Sequence, residues 1–270
     1  MKILIAGLWL ASNLAAAAAF AQPAPPNDMG ITMGHVHLNS ADIETNKKIF
    51  VGMGGVAKKN DTGTIQYVMF PGVMVFLNLP NAAPAVGGSE GTVINHVGFL
   101  VPNVQDAVAK WKAAGVPVLP GRNGRLDQAY VVTPDGMRVE ILEDKSQTLP
   151  IKFQHVHFFV AADAIPDIQA WYAKNFGAVP GMRGDNKSDD IPGANLTFSK
   201  SDTPTVPTKG HVLDHIGFDV TDLAATAKRL EANGVKLDRD IVTQPNGSKL
   251  TFVHDQWGTG IELNERHQPL

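Results

Sequence analysis

The 270-residue chain contains no cysteine. Thiolate catalysis, cysteine-ligated zinc, iron–sulfur clusters and disulfide bonds are therefore excluded. An excess of charge of either sign is also lacking, because 23 Lys and Arg residues stand against 26 Asp and Glu residues. Without a basic surplus, neither nucleic acid nor an anionic membrane surface is an expected partner. The 44% of apolar and 18% of charged residues are typical of a globular protein, and the length allows two domains.

A long apolar run occurs only at the N-terminus. Residues 1–21 contain Lys2, an apolar stretch and then Ala19-Phe20-Ala21, which is the pattern of a signal peptide with its cleavage site. A retained membrane anchor is the alternative, but the apolar core is shorter than the ~20 residues that span a bilayer. Residues 22–33 are predicted to be an N-terminal tail. The expected location is periplasmic or secreted, without stable membrane insertion after cleavage.

The sequence is internally repetitive. Residues 35–38 (His-Val-His-Leu) recur as residues 155–158 (His-Val-His-Phe), and residues 95–99 (Asn-His-Val-Gly-Phe) recur as residues 214–218 (Asp-His-Ile-Gly-Phe). Each half of the chain also contains an internal repeat, because a similar histidine-containing segment begins near residues 35 and 96 in the first half and near residues 155 and 215 in the second. The repeats therefore predict four modules of about 50 to 60 residues each.

Each module has the same predicted order of elements. An alternating strand comes first and a helix follows, and turn signals then separate three further strands, so that the order is β-α-β-β-β. The opening strands are predicted at residues 34–38, 94–101, 154–160 and 213–220. Asn103 or Asp106 and Thr221 or Asp222 are predicted to cap helices that end at Gly115 and Gly234. The sequence thus indicates an α+β fold.

Two histidines and one glutamate occur at matching positions in each half. The two predicted triads are His35, His96 and Glu140, and His155, His215 and Glu262. Two imidazoles and a carboxylate can hold a divalent metal and leave coordination positions open for substrate. The alternative for each histidine is an ordinary hydrogen-bonded strand residue. A glutamate on the inner face of a sheet, however, is costly without a partner, and a metal would provide one.

His37 and His157 lie two residues further along the same strands and therefore on the same faces. They could contact substrate, orient the ligands or replace them. His35 and His155 are preferred as ligands because they align with His96 and His215.

The sequence resembles the vicinal oxygen chelate superfamily, which includes glyoxalase I, bleomycin-resistance proteins and extradiol dioxygenases. The resemblance rests on His-Ile-Gly-Phe-x-Val-x-Asp at residues 215–222 and Asp-Gly-x-x-x-Glu at residues 135–140, and it extends from Gly34 to Arg266. It implies that βαβββ modules pair into two glyoxalase/dioxygenase-like domains with U-shaped clefts, at residues 34–146 and 153–266. It also implies a divalent metal, Fe(II), Mn, Zn or Ni, held by the two triads.

The resemblance implies an enzyme that chelates adjacent oxygens of a small substrate, either a lyase or isomerase or an extradiol-type dioxygenase. Glyoxalase I and the epimerases use a fourth acidic or amide ligand, yet residues 73–78 and 194–198 offer no carboxylate. The resemblance to the dioxygenases makes Tyr130, ten residues before Glu140, a candidate catalytic acid/base, with an ordinary strand aromatic as the alternative. His254, eight residues before Glu262, is the second candidate catalytic residue and is expected to face the cleft. The alternative is a non-catalytic binding protein of the bleomycin-resistance kind. A monomer or a homodimer is expected.

Two polar segments are expected to be solvated. Residues 185–190 are polar and are predicted to form a solvated loop at the edge of a cleft. A calcium site is the alternative, but the segment lacks the EF-hand spacing. Arg122 and Arg125 are predicted to lie in an exposed loop, with the clamping of an anionic substrate as the alternative.

Overall fold

The computed structural model describes residues 23–60, 62–78 and 83–266. The predicted signal peptide at residues 1–21, and Gln22 at the start of the predicted tail, lie outside the described residues. Among the helices that are described, none combines the length and the apolar character needed to cross a membrane.

Four consecutive βαβββ modules make up the described chain, as predicted. Module one comprises β1 (Ile31–Leu38), α1 (Ile43–Gly52), β2 (Val56–Lys59), β3 (Gln66–Phe70) and β4 (Val73–Phe76). Module two comprises β5 (Ile94–Val101), α2 (Val104–Ala113), β6 (Val118–Pro120), β7 (Gln128–Val132) and β8 (Arg138–Glu143). Module three comprises β9 (Lys152–Val160), α3 (Ile165–Phe176), β10 (Val179–Arg183), β11 (Asn186–Ile191) and β12 (Ala194–Lys200). Module four comprises β13 (Leu213–Val220), α4 (Leu223–Ala232), β14 (Val242–Thr243), β15 (Lys249–His254) and β16 (Gly260–Glu265).

The predicted N-cap residues and helix-terminating glycines of α2 and α4 are confirmed. Asn103 and Asp222 are the N-caps, and their side chains accept hydrogen bonds from backbone N–H groups in the first turn. Gly115 and Gly234 follow the last turns with φ of 78° and 86°, a conformation that favours glycine.

Three boundaries differ from prediction, and the smallest difference is that β9 begins at Lys152, two residues before the predicted start at Gln154. β1 begins at Ile31 rather than at Gly34, because Ile31 and Met33 are fully buried in the core. The predicted loop at residues 185–190 is largely strand β11, in which Asp189 is buried. This strand forms because β10 and β12 pair with it on both sides, so that ladder hydrogen bonds outweigh the polar character of its side chains.

The modules pair across the two halves of the chain. One eight-stranded sheet, in the order β14-β15-β16-β13-β1-β4-β3-β2, combines the first and last modules; we call it the terminal sheet. The other, in the order β10-β11-β12-β9-β5-β8-β7-β6, combines the middle modules; we call it the central sheet. The sheets therefore do not follow the predicted division into 34–146 and 153–266. Sequence repeats show which modules are similar to one another, but they do not show which modules share a sheet.

The opening strands present two different faces. Val36, Val97, Val156 and Ile216 are fully or almost fully buried in a core that both sheets and the helices share. Burying such a side chain contributes about 1.5–3 kcal/mol. Because side chains alternate along a strand, the neighbouring histidines take the opposite face of each sheet.

Candidate metal centres

Strand register brings four donors together on the terminal sheet. In the antiparallel pair β1–β13, His37 lies opposite His215 and His35 lies opposite Gly217. In the parallel pair β13–β16, Gly217 lies beside Glu262. The Oε2 atom of Glu262 is 2.9 Å from Nε2 of His215, 3.5 Å from Nε2 of His35 and 4.0 Å from Nδ1 of His37. We call these four buried residues the terminal site.

The central sheet repeats the arrangement with His96, Glu140, His155 and His157, which we call the central site. The Oε2 atom of Glu140 is 3.2 Å from Nε2 of His155 and 3.5 Å from Nε2 of His96. Nδ1 of His157 lies 3.1 Å from Nε2 of His96. In each site, one donor atom from every residue lies within 4.8 Å of the others, which suits ligation of a single ion.

The predicted grouping of the six ligands is wrong, although all six lie in the two sites. His35 was expected beside His96 and Glu140, but it lies with His215 and Glu262, and His155 takes its place at Glu140. The reason is that β1 pairs with β13 and β5 pairs with β9. That each of the six binds metal stays a prediction.

Two glycines make the crossed pairing possible. A Cβ atom built on Gly217 would lie 1.9 Å from Cε1 of His35, and one built on Gly98 would lie 1.9 Å from Cε1 of His155. Any side chain here would collide with the imidazole of the partner strand. The glycine of the His-x-Gly-Phe motif therefore marks where the imidazole of a neighbouring opening strand fits, without specifying which strand that is.

The remaining histidine of each site offers a lone pair to the cluster. Nε2 of His37 lies 2.7 Å from the carbonyl oxygen of Asn78, which can only accept, so Nε2 carries the proton and the buried Nδ1 is free to bind a cation. In the central site, Nε2 of His157 lies 2.8 Å from the hydroxyl of Ser199, which donates to Asn186. The same reasoning leaves a lone pair on Nδ1 of His157. Both histidines thus belong to the donor sets.

Three of the four other imidazoles are oriented by the residue that precedes them. Nδ1 of His96 is 2.9 Å from the side-chain oxygen of Asn95, Nδ1 of His215 is 2.8 Å from Oδ1 of Asp214, and His155 is held in the same way by Gln154. Such contacts direct Nε2 towards the cluster, as in many metal sites. His35 follows Gly34 and has no equivalent support.

The protonation states suit metal binding, with one exception. Burial lowers the pKa of His37 and of His155 to about 3, and it also lowers the pKa values of His35, His96 and His157, so these imidazoles are neutral. Burial alone would lower the pKa of His215 as well, but Asp214 and Glu262 raise it above its ordinary value. Burial acts to raise the pKa values of Glu140 and Glu262, yet the adjacent histidines hold both well below the usual range.

The donors fit a divalent metal. Among the described residues, both ring nitrogens of His35, Nδ1 of His37 and Nε2 of His155 are buried without a hydrogen-bond partner. Unpartnered buried polar atoms are costly, and a coordinated cation would remove that cost. Neutral imidazole and ionised carboxylate are the forms that bind zinc, nickel, iron or manganese.

The two predicted catalytic side chains have different surroundings. The hydroxyl of Tyr130 donates to Oε1 of Glu140 at 3.1 Å, and Nε2 of Gln128 donates to the same oxygen at 2.5 Å, so Tyr130 positions the carboxylate. Its acid/base role stays a prediction. His254 belongs to neither donor set, and its Nδ1 is paired with Asp238.

One basic residue beside the central site was missed. Nη2 of Arg183, at the end of β10, lies 3.8 Å from Oε2 of Glu140, and its Nε donates to Oγ1 of Thr197 at 2.7 Å. A single arginine at a strand end carries no sequence pattern that would reveal this role. Arg122 and Arg125 are exposed, as predicted for a solvated loop, and Arg125 pairs with Asp127.

Residues 152–263 match the family model of the Glyoxalase/Bleomycin resistance protein/Dioxygenase superfamily. The fold is similar to that of glyoxalase I from Zea mays, with a TM-score of 0.65, 16% identity and coverage of 87% of this chain and 92% of that chain. It is also similar to a putative dioxygenase from Bacillus subtilis, with a TM-score of 0.61, 16% identity and coverage of 92% and 87%. No curated protein matches the sequence. The family model thus confirms the resemblance over residues 152–263, and the solved structures confirm the α+β fold of paired βαβββ modules.

Proposed function

We propose that this protein is a metal-dependent enzyme of the vicinal oxygen chelate kind that acts on a small substrate with adjacent oxygens. The observation that carries the proposal is the pair of buried sites, each with three imidazoles and one carboxylate, in which several nitrogens lack partners. Four donors leave coordination positions open in an octahedral metal.

A divalent cation in such a site would supply the Lewis acidity that polarises a carbonyl, enolate or phenolate oxygen. The chain's own residues provide the setting for that chemistry. Asn95 and Asp214 orient imidazoles, and Gln128 and Tyr130 fix one oxygen of Glu140 so that the other faces the histidines. Such preorganised donors avoid the cost of rearrangement when the substrate binds.

The proposed reaction is either that of a lyase or isomerase or that of an extradiol-type dioxygenase, with Fe(II), Mn, Zn or Ni as the metal. Glyoxalase I and a putative dioxygenase are both among the proteins of similar fold. Oxygen uptake with catechols separates the two, because ring cleavage consumes dioxygen and isomerisation does not. Each site is complete within one chain, so either a monomer or a homodimer would be competent.

We also propose that the protein is exported, to the periplasm or beyond the cell, on the pattern of residues 1–21. Sequencing the N-terminus of the mature protein tests this, and Gln22 is the expected first residue. A chain that keeps Met1 or Lys2 would contradict export with cleavage.

A second candidate is a non-catalytic protein that binds aromatic ligands. Phe76 lies 4.9 Å from His35, and Phe252 lies 5.1 Å from His215, measured between ring centroids. Tyr67 packs on Phe76 at 5.2 Å. These rings beside the terminal site could stack on a flat ligand without a metal.

Elemental analysis of protein purified without chelator tests the main proposal. The wild type should hold about two equivalents of divalent metal per chain, one for each four-donor site. His215→Ala and His96→Ala should each lose one equivalent, while His254→Ala, outside both donor sets, should keep both. A metal-free wild type whose His215→Ala variant still binds aromatic ligands would favour the binding protein instead.

A further inference from the structure

The side chains around the two carboxylates differ at equivalent strand positions. Tyr130 lies opposite Glu140 in the β7–β8 pair, as Phe252 lies opposite Glu262 in β15–β16. Asn195 lies beside His155 in the β12–β9 pair, as Met74 lies beside His35 in β4–β1. Four pairs of this kind, with the central-site residue first, are Tyr130 and Phe252, Gln128 and Leu250, Asn195 and Met74, and Thr197 and Phe76. In these four pairs the central residue is polar and the terminal residue is apolar, whereas the pair that lies opposite Gln128 and Leu250, Leu142 and Asn264, is reversed.

The central site also has more positive charge around its carboxylate than the terminal site has. Arg183 lies 3.8 Å from the oxygen of Glu140 that faces the histidines, and Thr197 fixes its guanidinium. Arg138, on the strand of Glu140, has its guanidinium carbon 4.2 Å over the ring of Tyr130, but it is paired with Glu90, so Arg183 is the arginine that contributes charge at Glu140. Two residues before the carboxylate, where the central site has Arg138, the terminal site has Gly260.

The terminal site also has a nearby arginine, Arg266, but that arginine is paired with Asp219, and the site has a further acid in Asp214. Asp214 supports His215 where the central site has the neutral Asn95. Arg239 stands 4.6 Å over Phe252, but it is exposed and has Asp238 and Asp240 as chain neighbours.

These differences determine which ligand each site can neutralise. A divalent cation held by Glu140 beside Arg183 leaves a surplus of positive charge, which an anionic ligand would compensate. A cation held by Glu262 near Asp214 is already neutralised, and its surroundings of Phe76, Phe252, Leu250 and Met74 favour an apolar ligand.

We propose that the central site binds an anionic substrate with adjacent oxygens, such as a 2-hydroxy or 2-oxo carboxylate, and that Arg183 recognises its carboxylate. The terminal site takes an uncharged, aromatic ligand with adjacent oxygens. This inference rests on the proposed function, since both ligands would chelate a bound metal.

Cobalt(II)-substituted protein with one site removed provides the test. His35→Ala/His215→Ala keeps the central site, and His96→Ala/His155→Ala keeps the terminal site. Oxalate, a dianion with adjacent oxygens, and catechol are titrated while the visible cobalt spectrum and the heat of binding are recorded. Oxalate should bind the central site roughly tenfold or more tightly than the terminal site, because a charge-assisted hydrogen bond contributes about that factor. Catechol should prefer the terminal site.

Arg183→Gln should weaken oxalate binding at the central site by roughly tenfold while cobalt stays bound. Lys200→Gln is the matched control, because it removes one positive charge from an exposed residue of the same module and should change nothing. In protein with both sites intact, Arg183→Gln should remove the tighter of two oxalate phases, so the test does not depend on the folding of the one-site variants.

Equal oxalate affinities at the two sites, or unchanged affinity in Arg183→Gln, would overturn this inference while cobalt binding still supported the proposed function. Failure of the intact protein to bind cobalt would overturn both.

Discussion

The terminal and central sites use the same strand positions for their donors, yet they differ in almost every neighbour. Glu140 has one oxygen fixed by Gln128 and Tyr130, whereas the matching Phe252 and Leu250 cannot donate to Glu262. The donors are set by register and therefore repeat with the module. Their neighbours are free of that constraint, and we infer that they have adapted each site to a different ligand.

The largest expected effect comes from the glycines that accommodate the partner imidazole. Gly98→Ala should displace His155 and abolish metal binding at the central site alone, and Gly217→Ala should do the same to His35 and the terminal site, because a Cβ would lie 1.9 Å from each ring. Each variant should lose about 1–3 kcal/mol of unfolding free energy through overpacking. Metal content and denaturant unfolding measure both effects.

Gly181→Ala is the control for these variants, because a Cβ there meets its nearest neighbour, the carbonyl of Ser188, only at 4.0 Å. Full metal content in Gly98→Ala and Gly217→Ala would show that the rings do not need this space.

A smaller effect is expected when the polar support of Glu140 is replaced by the residues of the other site. Gln128→Leu/Tyr130→Phe should weaken metal binding at the central site by roughly tenfold, which is the usual effect of losing groups that orient a ligand. Competition with a metallochromic chelator measures both sites in one titration. The terminal site is the internal control, and an equal loss there would mean that the double substitution disturbs the fold as a whole.

A separate prediction concerns the acid stability of the metal-free protein. Burial lowers the pKa of His37 and of His155 to about 3 from an ordinary 6.5. Below pH 6.5 these histidines therefore bind protons in the unfolded chain but remain neutral in the folded chain. The free energy of unfolding should therefore fall as pH drops from 6.5 towards 3. His215 has the opposite sign, since its raised pKa contributes stability at low pH that is lost as pH rises through that pKa.

Urea midpoints measured in the presence of chelator at about pH 7 and about pH 5 test this dependence. A midpoint that is higher at the lower pH would show that His215 outweighs the neutral imidazoles.

Much of the architecture could be predicted from the sequence because its signals are local. The four modules could be predicted from alternating apolar residues in the strands, from helix caps and from glycines that follow helices. The repeated histidine and glutamate positions indicated the six predicted donors. Strand β11 was missed because Asp189 and Asp190 are polar, although pairing on both sides makes the segment a strand.

The pairing of modules could not be predicted from likeness alone. All four opening strands carry histidine, and β5 and β13 both offer a glycine to an opposing imidazole, so the clearance at Gly98 and Gly217 allows the observed partnership without selecting it. Arg183 was missed for a related reason, because its distance to Glu140 depends on the partnership between modules two and three.

The central claim is that each site joins the two halves of the chain, and a pair of double variants tests it most directly. His35→Ala/His215→Ala should damage the terminal site only and keep about one equivalent of metal, whereas His35→Ala/His96→Ala should damage both sites and keep almost none. The reverse result, with one equivalent kept by His35→Ala/His96→Ala and none by His35→Ala/His215→Ala, would contradict the account.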